Sequence, residues 1–128
     1  ESLDAAVRAL YHVISGPAGQ PRDWQRLRHL LHPTARFQAV RPTGGIATFT
    51  VDDYIARNSG FLAQRGFFES ESSREVKAFE GIANVWSGFE IRQSPDGAPE
   101  RSGVNSIQLY FDGQRWWILS VFWDNARR

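Results

Sequence analysis

GVNSIQLYFDGQRWWILSVFWD, residues 103–124, alternates in period two on both sides of an Asp112-Gly113 pair. Asp-Gly between two such runs is a strong hairpin signal. The spacing predicts two long antiparallel strands joined by a two-residue turn. With the turn at Asp112 and Gly113, Phe111 faces Gln114, Leu109 faces Trp116, Ile107 faces Ile118 and Asn105 faces Ser120, and cross-strand partners share a face. One face then carries Asn105, Ile107, Leu109, Trp116, Ile118, Ser120, Phe122 and Asp124. The other carries Ser106, Gln108, Tyr110, Arg115, Trp117, Leu119, Val121 and Trp123. The last strand is apolar on both faces, whereas a sheet with one solvated face alternates cleanly. Both of its faces therefore need a cover.

The same period extends upstream through FFESESSREVKAF (67–79) and IANVWSGFEIR (82–92), with breaks at Glu80-Gly81 and at SPDGAPE (94–100). Before residue 67 the period is helical. In SLDAAVRALYHVIS (2–15), Leu3, Ala6, Val7, Leu10 and Ile14 form one apolar stripe, with Tyr11 at its edge and His12 on the opposite side. Gly16-Pro17 stops this helix. A second helix is expected to open at Pro21, a residue suited to the first helical position. It sets Trp24, Leu27 and Leu31 on one face and ends before Pro33. ARFQAV (35–40) and IATFT (46–50) read as a strand pair around the turn RPTGG. Thr50 and Asp53 resemble a capping box that opens a third helix over about 51–64. Helices segregated onto one side of an antiparallel sheet make an α+β domain.

The chain of 128 residues is one domain, residues 1–128, long enough to bury a core. Hydrophobic residues make up 41% and charged residues 23%, which excludes a disordered chain. The longest apolar runs are too short to span a bilayer, so no membrane partner is expected. The formal net charge is +1, with fourteen arginines spread along the chain and a single lysine. Nucleic-acid binding requires a clustered basic patch, so no nucleic-acid partner is expected either. There is no cysteine, no HExxH and no phosphate loop; neither a metal nor a cofactor is expected. The chain starts at Glu1 and contains no methionine. A soluble protein is expected, cytoplasmic or exported after removal of a leader that precedes Glu1.

Four segments, ALYHVISGPAG (9–19), RDWQRLRHLLHPTARF (22–37), GVNSIQLYFDG (103–113) and QRWWILSVFWD (114–124), resemble a bacterial subgroup of the NTF2-like, or SnoaL-like, superfamily. With their spacing they span nearly the whole chain. The resemblance implies a cone-shaped α+β barrel, in which three N-terminal helices pack on a strongly curved, mostly antiparallel sheet. It also implies a pocket inside the cone and a homodimer formed through the sheet. The superfamily includes isomerases, dehydratases and binding proteins, so the fold leaves the reaction open.

By resemblance, the face that carries Asn105 is assigned to the cavity. The expected ligand-binding residues are Tyr11, Trp24, Tyr54, Asn105, Trp116, Ser120 and Phe122. Asp124 is the candidate acid or base, because burial beside Phe122 raises a carboxyl pKa; it also reads as a surface carboxylate at a strand end. The opposite face, Trp117, Leu119, Val121 and Trp123, is the expected dimer surface, since so large an apolar patch calls for a cover. Asp23 reads as a stabiliser of the second helix start, and Trp24 as a core anchor that also lines the pocket. Glu69, Glu71, Glu75 and Lys77 read most simply as a solvated strand face, with Glu69 alternatively at the cavity mouth. Three functions follow: a binding pocket for a small apolar or aromatic molecule, a cofactor-independent lyase or isomerase using Asp124, or an interaction module.

Overall fold

The structure, a computed structural model, describes residues 2–127. Its elements follow the order α1 (Leu3–Ile14), α2 (Trp24–Leu30), β1 (Leu31–Val40), β2 (Ile46–Phe49), α3 (Val51–Gln64), β3 (Phe68–Phe79), β4 (Ile82–Arg92), β5 (Arg101–Phe111) and β6 (Trp116–Asn125). The six strands form one sheet in the order β2-β1-β6-β5-β4-β3. All neighbours are antiparallel except β1 and β6, which run parallel. This is the α+β cone expected from the sequence.

The apolar stripe of α1 lies in the concave side of the sheet, where Val7, Leu10, Tyr11 and Ile14 are buried. Val85, Ile107 and Ile118 meet it from the strands, and Leu27 meets it from α2. Each such fully buried side chain contributes about 1.5–3 kcal/mol. Buried Arg22 ties the helix ends together: its Nε donates to Ile14 O at 3.1 Å and its Nη2 to Gly16 O at 2.9 Å. Ile14 O is a carbonyl that the end of α1 leaves without a helical partner, and Gly16 O, just beyond the cap, also accepts from Phe67 N. The helix α3 leaves one sheet edge, β2, and delivers the chain to the other, β3. It therefore spans the mouth of the cone. Its capping box is formed: Asp53 N donates to Thr50 Oγ1 at 3.1 Å, and Thr50 N to Asp53 Oδ2 at 3.2 Å.

Several details differ from the sequence expectation. The second helix begins at Trp24 rather than Pro21, and Asp23 is its N-cap, accepting from Arg26 N at 3.1 Å. The β5–β6 turn lies one residue later than Asp-Gly predicts. Asp112 N donates to Arg115 O at 3.1 Å, which makes Gly113 and Gln114 the turn, and Gly113 sits at φ 101°. A positive φ at the first turn position suits glycine. Asp112 caps this turn with its side chain, accepting from the backbone N–H groups of Gln114 and Arg115.

The third difference has the largest consequence. Phe111 pairs with Trp116, Tyr110 with Trp117 and Leu109 with Ile118, but Gln108 then pairs with Ser120. Leu119 is an extra residue, a β-bulge. Beyond it the parity of β6 is reversed, because a one-residue slip moves every later side chain to the other face. Val121, Trp123 and Asn125 turn inward, and Ser120, Phe122 and Asp124 turn outward. A dimer surface made of Trp117, Leu119, Val121 and Trp123 is thereby excluded, since Val121 and Trp123 lie inside the cone.

A second bulge, at Ser72, splits the row of charges on β3. Glu71 pairs with Phe89 and Ser73 with Gly88, leaving Ser72 unmatched. Glu69 and Glu71 share the inner face, whereas Glu75 and Lys77 pair with outward-facing Trp86 and Asn84. The reading of all four as one solvated face is corrected accordingly. Gly88 makes room for the bulge: a Cβ there would lie 2.4 Å from Ser73 Oγ and 2.9 Å from Ser72 Oγ.

The N-cap role of Asp23 is testable apart from any site. Asp23→Ala removes one acceptor from the first turn of α2 and should cost about 1 kcal/mol of stability. The shift in the urea midpoint measures it, and an unchanged midpoint would remove the capping role.

Candidate functional site

A cavity of about 500 Å³ opens between the concave sheet, α1 and α3. Its walls are mostly apolar: Leu10 and Ile14 from α1, Phe37 from β1, Phe89 and Ile91 from β4, and Val121 and Trp123 from β6. From α3 it receives Tyr54, Arg57, Asn58 and Phe61, the i, i+3, i+4 and i+7 positions of one helical stripe. An aromatic series forms one wall. Phe37 and Tyr54 are stacked with centroids 4.2 Å apart, and Trp123 meets Phe37 edge-on at 6.5 Å. Trp24 meets Tyr54 edge-on at 6.4 Å from behind.

Three polar residues of the lining, Glu69, Asn105 and Tyr11, belong to a single connected chain. Asn105 Nδ2 donates to Glu69 Oε2 at 2.9 Å and to the Tyr11 hydroxyl at 3.0 Å. The Tyr11 and Ser87 hydroxyls lie 2.6 Å apart, and Ser87 donates to Glu71 Oε2 at 2.6 Å. Ser87 has one hydroxyl proton, and it goes to Glu71; the Tyr11 hydroxyl therefore donates to Ser87. Arg74 closes the chain. Its Nε donates to both Glu71 oxygens at 3.1 and 3.0 Å, and its Nη1 reaches Asp4. Glu71 and Arg74 are three residues apart and would point to opposite faces of a regular strand. The Ser72 bulge places them on the same side.

The two carboxyls differ in environment. Glu71 has a guanidinium partner, whereas Glu69 has an amide partner and lines the cavity. Burial pushes the Glu69 carboxyl up to about 7, against the hydrogen bond from Asn105 and the charge of Arg101, which lower it. Burial likewise pushes the Tyr11 hydroxyl up to about 12, keeping it protonated. The Tyr54 hydroxyl is raised further by burial and, to a smaller extent, by Glu69. It makes no hydrogen bond among the described residues, so its proton is available to a ligand. The backbone is shaped to the same end. A Cβ on Gly103 would lie 2.2 Å from Asp124 O and 2.7 Å from Phe89 Cζ, so only glycine lets the Phe89 ring lie across β5 here.

Of the residues expected from sequence, Tyr11, Tyr54 and Asn105 line the cavity. Trp24 stands behind Tyr54 and does not reach the lumen. Trp116 is on the inner face but packs against Phe111 at the far end, 5.2 Å between centroids, outside the cavity. Ser120 and Phe122 face outward because of the Leu119 bulge, Ser120 donating to Gln108 Oε1 at 3.1 Å. Asp124 also faces outward and pairs with Arg127 at 2.8 Å, which withdraws it from any chemistry in the cone. Glu69 takes the place expected for Asp124. Its period-two spacing from Glu71 put it on a strand, and its position at the strand start marked it for the mouth. Among the described residues, no group of three or more His, Asp or Glu side chains is placed to hold a metal ion. No helix there is long and apolar enough to cross a membrane.

No protein-family model and no curated protein match the sequence. Solved structures do match its shape. A Nostoc punctiforme protein of unknown function with a cystatin-like fold superposes with a TM-score of 0.76 at 12% identity, over 97% of this chain and 88% of its own. An NTF2-like protein from Cytophaga hutchinsonii gives 0.74 at 16%, over 97% and 95%. An NTF2-like protein of unknown function from Silicibacter pomeroyi gives 0.69 at 18%, over 97% and 92%. The fold is that of the NTF2-like proteins, as the sequence resemblance implies.

The raised pKa of Glu69 has a measurable effect on stability. The folded state holds this proton to about 7, above the ordinary carboxyl value of 4.5. Its favourable contribution is therefore complete below about pH 4.5 and is lost as pH rises through 7. The loss is on the order of 2 kcal/mol. Glu69→Gln mimics the neutral form. Relative to wild type, it should gain stability between pH 5 and 8 in chemical denaturation. A parallel pH dependence in the two proteins would show that Glu69 ionises as it does in the unfolded chain.

Proposed function

We propose that the protein binds a small, flat, largely apolar molecule inside the cone. The observation that supports this best is the cavity itself: about 500 Å³, walled mostly by aromatic and aliphatic side chains, with a few polar groups among them. Small-molecule sites have this composition and volume. A packed cone would leave no such space. Isothermal titration with bicyclic aromatic probes tests the reading, with Val121→Trp as a variant that fills the lumen. Binding by the wild type and not by the filled variant is expected; equal binding by both would place the probe elsewhere.

A second reading, acid–base catalysis without a cofactor, is favoured by one observation. Glu69 is a carboxyl poised near neutral pH in an apolar cavity that also holds the unengaged Tyr54 hydroxyl. A general acid or base works best with a pKa near the working pH. Glu69 would take a proton from a carbon next to a carbonyl, and Tyr54 would donate a hydrogen bond to the oxygen on which charge develops. Deuterium wash-in from D2O into 1-tetralone, followed by NMR, is the test. Exchange above the buffer rate should fall at least about a hundredfold in Glu69→Gln. No exchange above buffer would leave the binding reading standing alone.

We also propose a homodimer through the convex face of the sheet. The supporting pattern is a set of exposed aromatics in rows across the strands. Trp86 pairs with Ser106, and Ser106 with Phe122; Ile82 pairs with Tyr110, and Tyr110 with Trp117. Trp86 is 52% exposed and Phe122 41%. Light scattering at micromolar concentration should give twice the chain mass, and Trp86→Glu should reduce it to one chain. A single-chain mass for the wild type would remove the dimer.

A further inference from the structure

The charged side chains that line the cavity are Glu69, Arg57 and Arg101. Arg101 begins β5 and pairs with Ile91, which pairs with Glu69 across β4 and β3. The three form one row on the inner face, with Arg101 two strand spacings, about 10 Å, from Glu69. Arg57 enters from α3, one turn beyond Tyr54, with its guanidinium 5.1 Å from the centre of the Phe49 ring. Both arginines are exposed on their solvent side, as befits the mouth of the cone.

Neither of these two arginines is committed to a hydrogen-bonding or ionic partner among the described residues. Arg65, Arg74 and Arg92 each hold a carboxylate within 3 Å, and Arg22 is satisfied by backbone carbonyls. Arg57 and Arg101 make no hydrogen bond or ion pair among the described residues. Glu69 does not compensate them below neutral pH: its oxygen accepts from Asn105, and burial keeps its carboxyl mostly protonated there, against the charge of Arg101. Under those conditions the lining carries two positive charges and no negative one. Two forked donors at the rim of an apolar, aromatic space suit a planar anion attached to a flat hydrophobic body.

We propose that the ligand of this cavity is an aromatic or unsaturated carboxylic acid, bound with its carboxylate between Arg57 and Arg101 and its apolar body against Phe67, Phe89 and Trp123. The proposal rests on the pocket reading above and narrows it to a chemical class. A carboxylate is favoured over a phosphate ester. The latter brings nearly two charges and three oxygens, and the lining offers neither a helix N-terminus nor a glycine-rich loop to receive them. Tyr54 and Glu69 are left to meet a carbonyl or hydroxyl elsewhere on the ligand.

The experiment is calorimetric titration of the full chain with 2-naphthylacetic acid, 2-naphthylacetamide and 2-naphthyl phosphate at low ionic strength and pH 6. The acid should bind about tenfold more tightly than the amide. Arg101→Gln and Arg57→Gln should each weaken the acid about fivefold and leave the amide within a factor of two. Acid affinity should also fall between pH 6 and 8 as Glu69 ionises and repels the carboxylate, and Glu69→Gln should abolish that fall. Equal affinity of acid and amide, or arginine variants that weaken both alike, would overturn the carboxylate assignment while leaving the pocket intact. Tighter binding of the phosphate would overturn it in favour of a dianion. If no probe binds, the pocket reading fails and this proposal with it.

Discussion

One unpaired residue in the closing strand, Leu119, decides which side chains enter the cone. A β-strand has only two faces, so a single extra residue exchanges every side chain beyond it. Before the bulge, Trp116 and Ile118 face α1 and fill the core. After it, Val121, Trp123 and Asn125 face the cavity, and Asp124 faces solvent. Bulges also increase local twist and bend the strand that carries them. The sheet bulges at Ser72 on its β3 edge and again at Leu119. Both sites accompany the transition from the packed end of the cone to its open end. The same device that curves the sheet thus selects the lining of its cavity.

The buried polar chain depends on the other bulge at one point. Glu69, Asn105, Tyr11, Ser87, Glu71 and Arg74 come from α1 and from three strands, and the Ser72 bulge brings Arg74 to the side of the rest. A half-satisfied buried polar group costs more than an apolar one, whereas a connected network stiffens what it joins. Here each donor is directed. Asn105 gives both amide protons away, Tyr11 gives its proton to Ser87, and Ser87 gives its proton to Glu71. Tyr11 is consequently a brace for Asn105 rather than a donor to a ligand. Two carboxyls two residues apart acquire different characters in this way. Glu71 is held by a guanidinium, and Glu69 is left with an amide and an apolar wall, which separates their roles by environment alone.

The fold was legible because it depends on period and punctuation. The helical stripe of residues 3–14, the Thr50–Asp53 capping box and the limits of β4 and β5 all follow from local patterns. The site was legible in part. Tyr11 and Tyr54 lie on helical stripes, and Asn105 lies on β5, which carries no extra residue of its own, so their faces were recoverable. Ser120, Phe122 and Asp124 were misplaced because they lie beyond a bulge. Leu119 is an ordinary strand residue, and no local signal distinguishes it from its neighbours. At Ser72 a faint signal exists: Gly88, opposite the neighbouring Ser73, has no side chain to obstruct the crowded hydroxyls. The placement of α2 shows the opposite error. Pro21 suits a helix start, but Asp23 is the stronger cap, and Arg22 must stay outside the helix to reach the carbonyls at the end of α1.

What the cavity can do chemically is bounded by the groups that remain free in it. Tyr11 and Asn105 are committed to the internal chain, and Asp124 is outside. That leaves one exchangeable proton on Glu69, one uncommitted phenol on Tyr54, the amides of Asn58 and Asn125, with the Asn125 oxygen unpartnered among the described residues, and two cations at the rim. A nucleophile of the serine or cysteine type is not among them: Ser87 is fully buried and donates to Glu71, and the chain has no cysteine. Proton transfer and ion pairing are the chemistries these groups support. They also stand apart in the lining, with the cations on α3 and the first residue of β5, and the proton beside Asn105, about two strand spacings from Arg101. A molecule that satisfied both would have to present an anionic end outward and a polarisable group inward, with a flat apolar body between them. The aromatic wall built from Phe37, Tyr54 and Trp123, braced from behind by Trp24, is shaped to hold such a body.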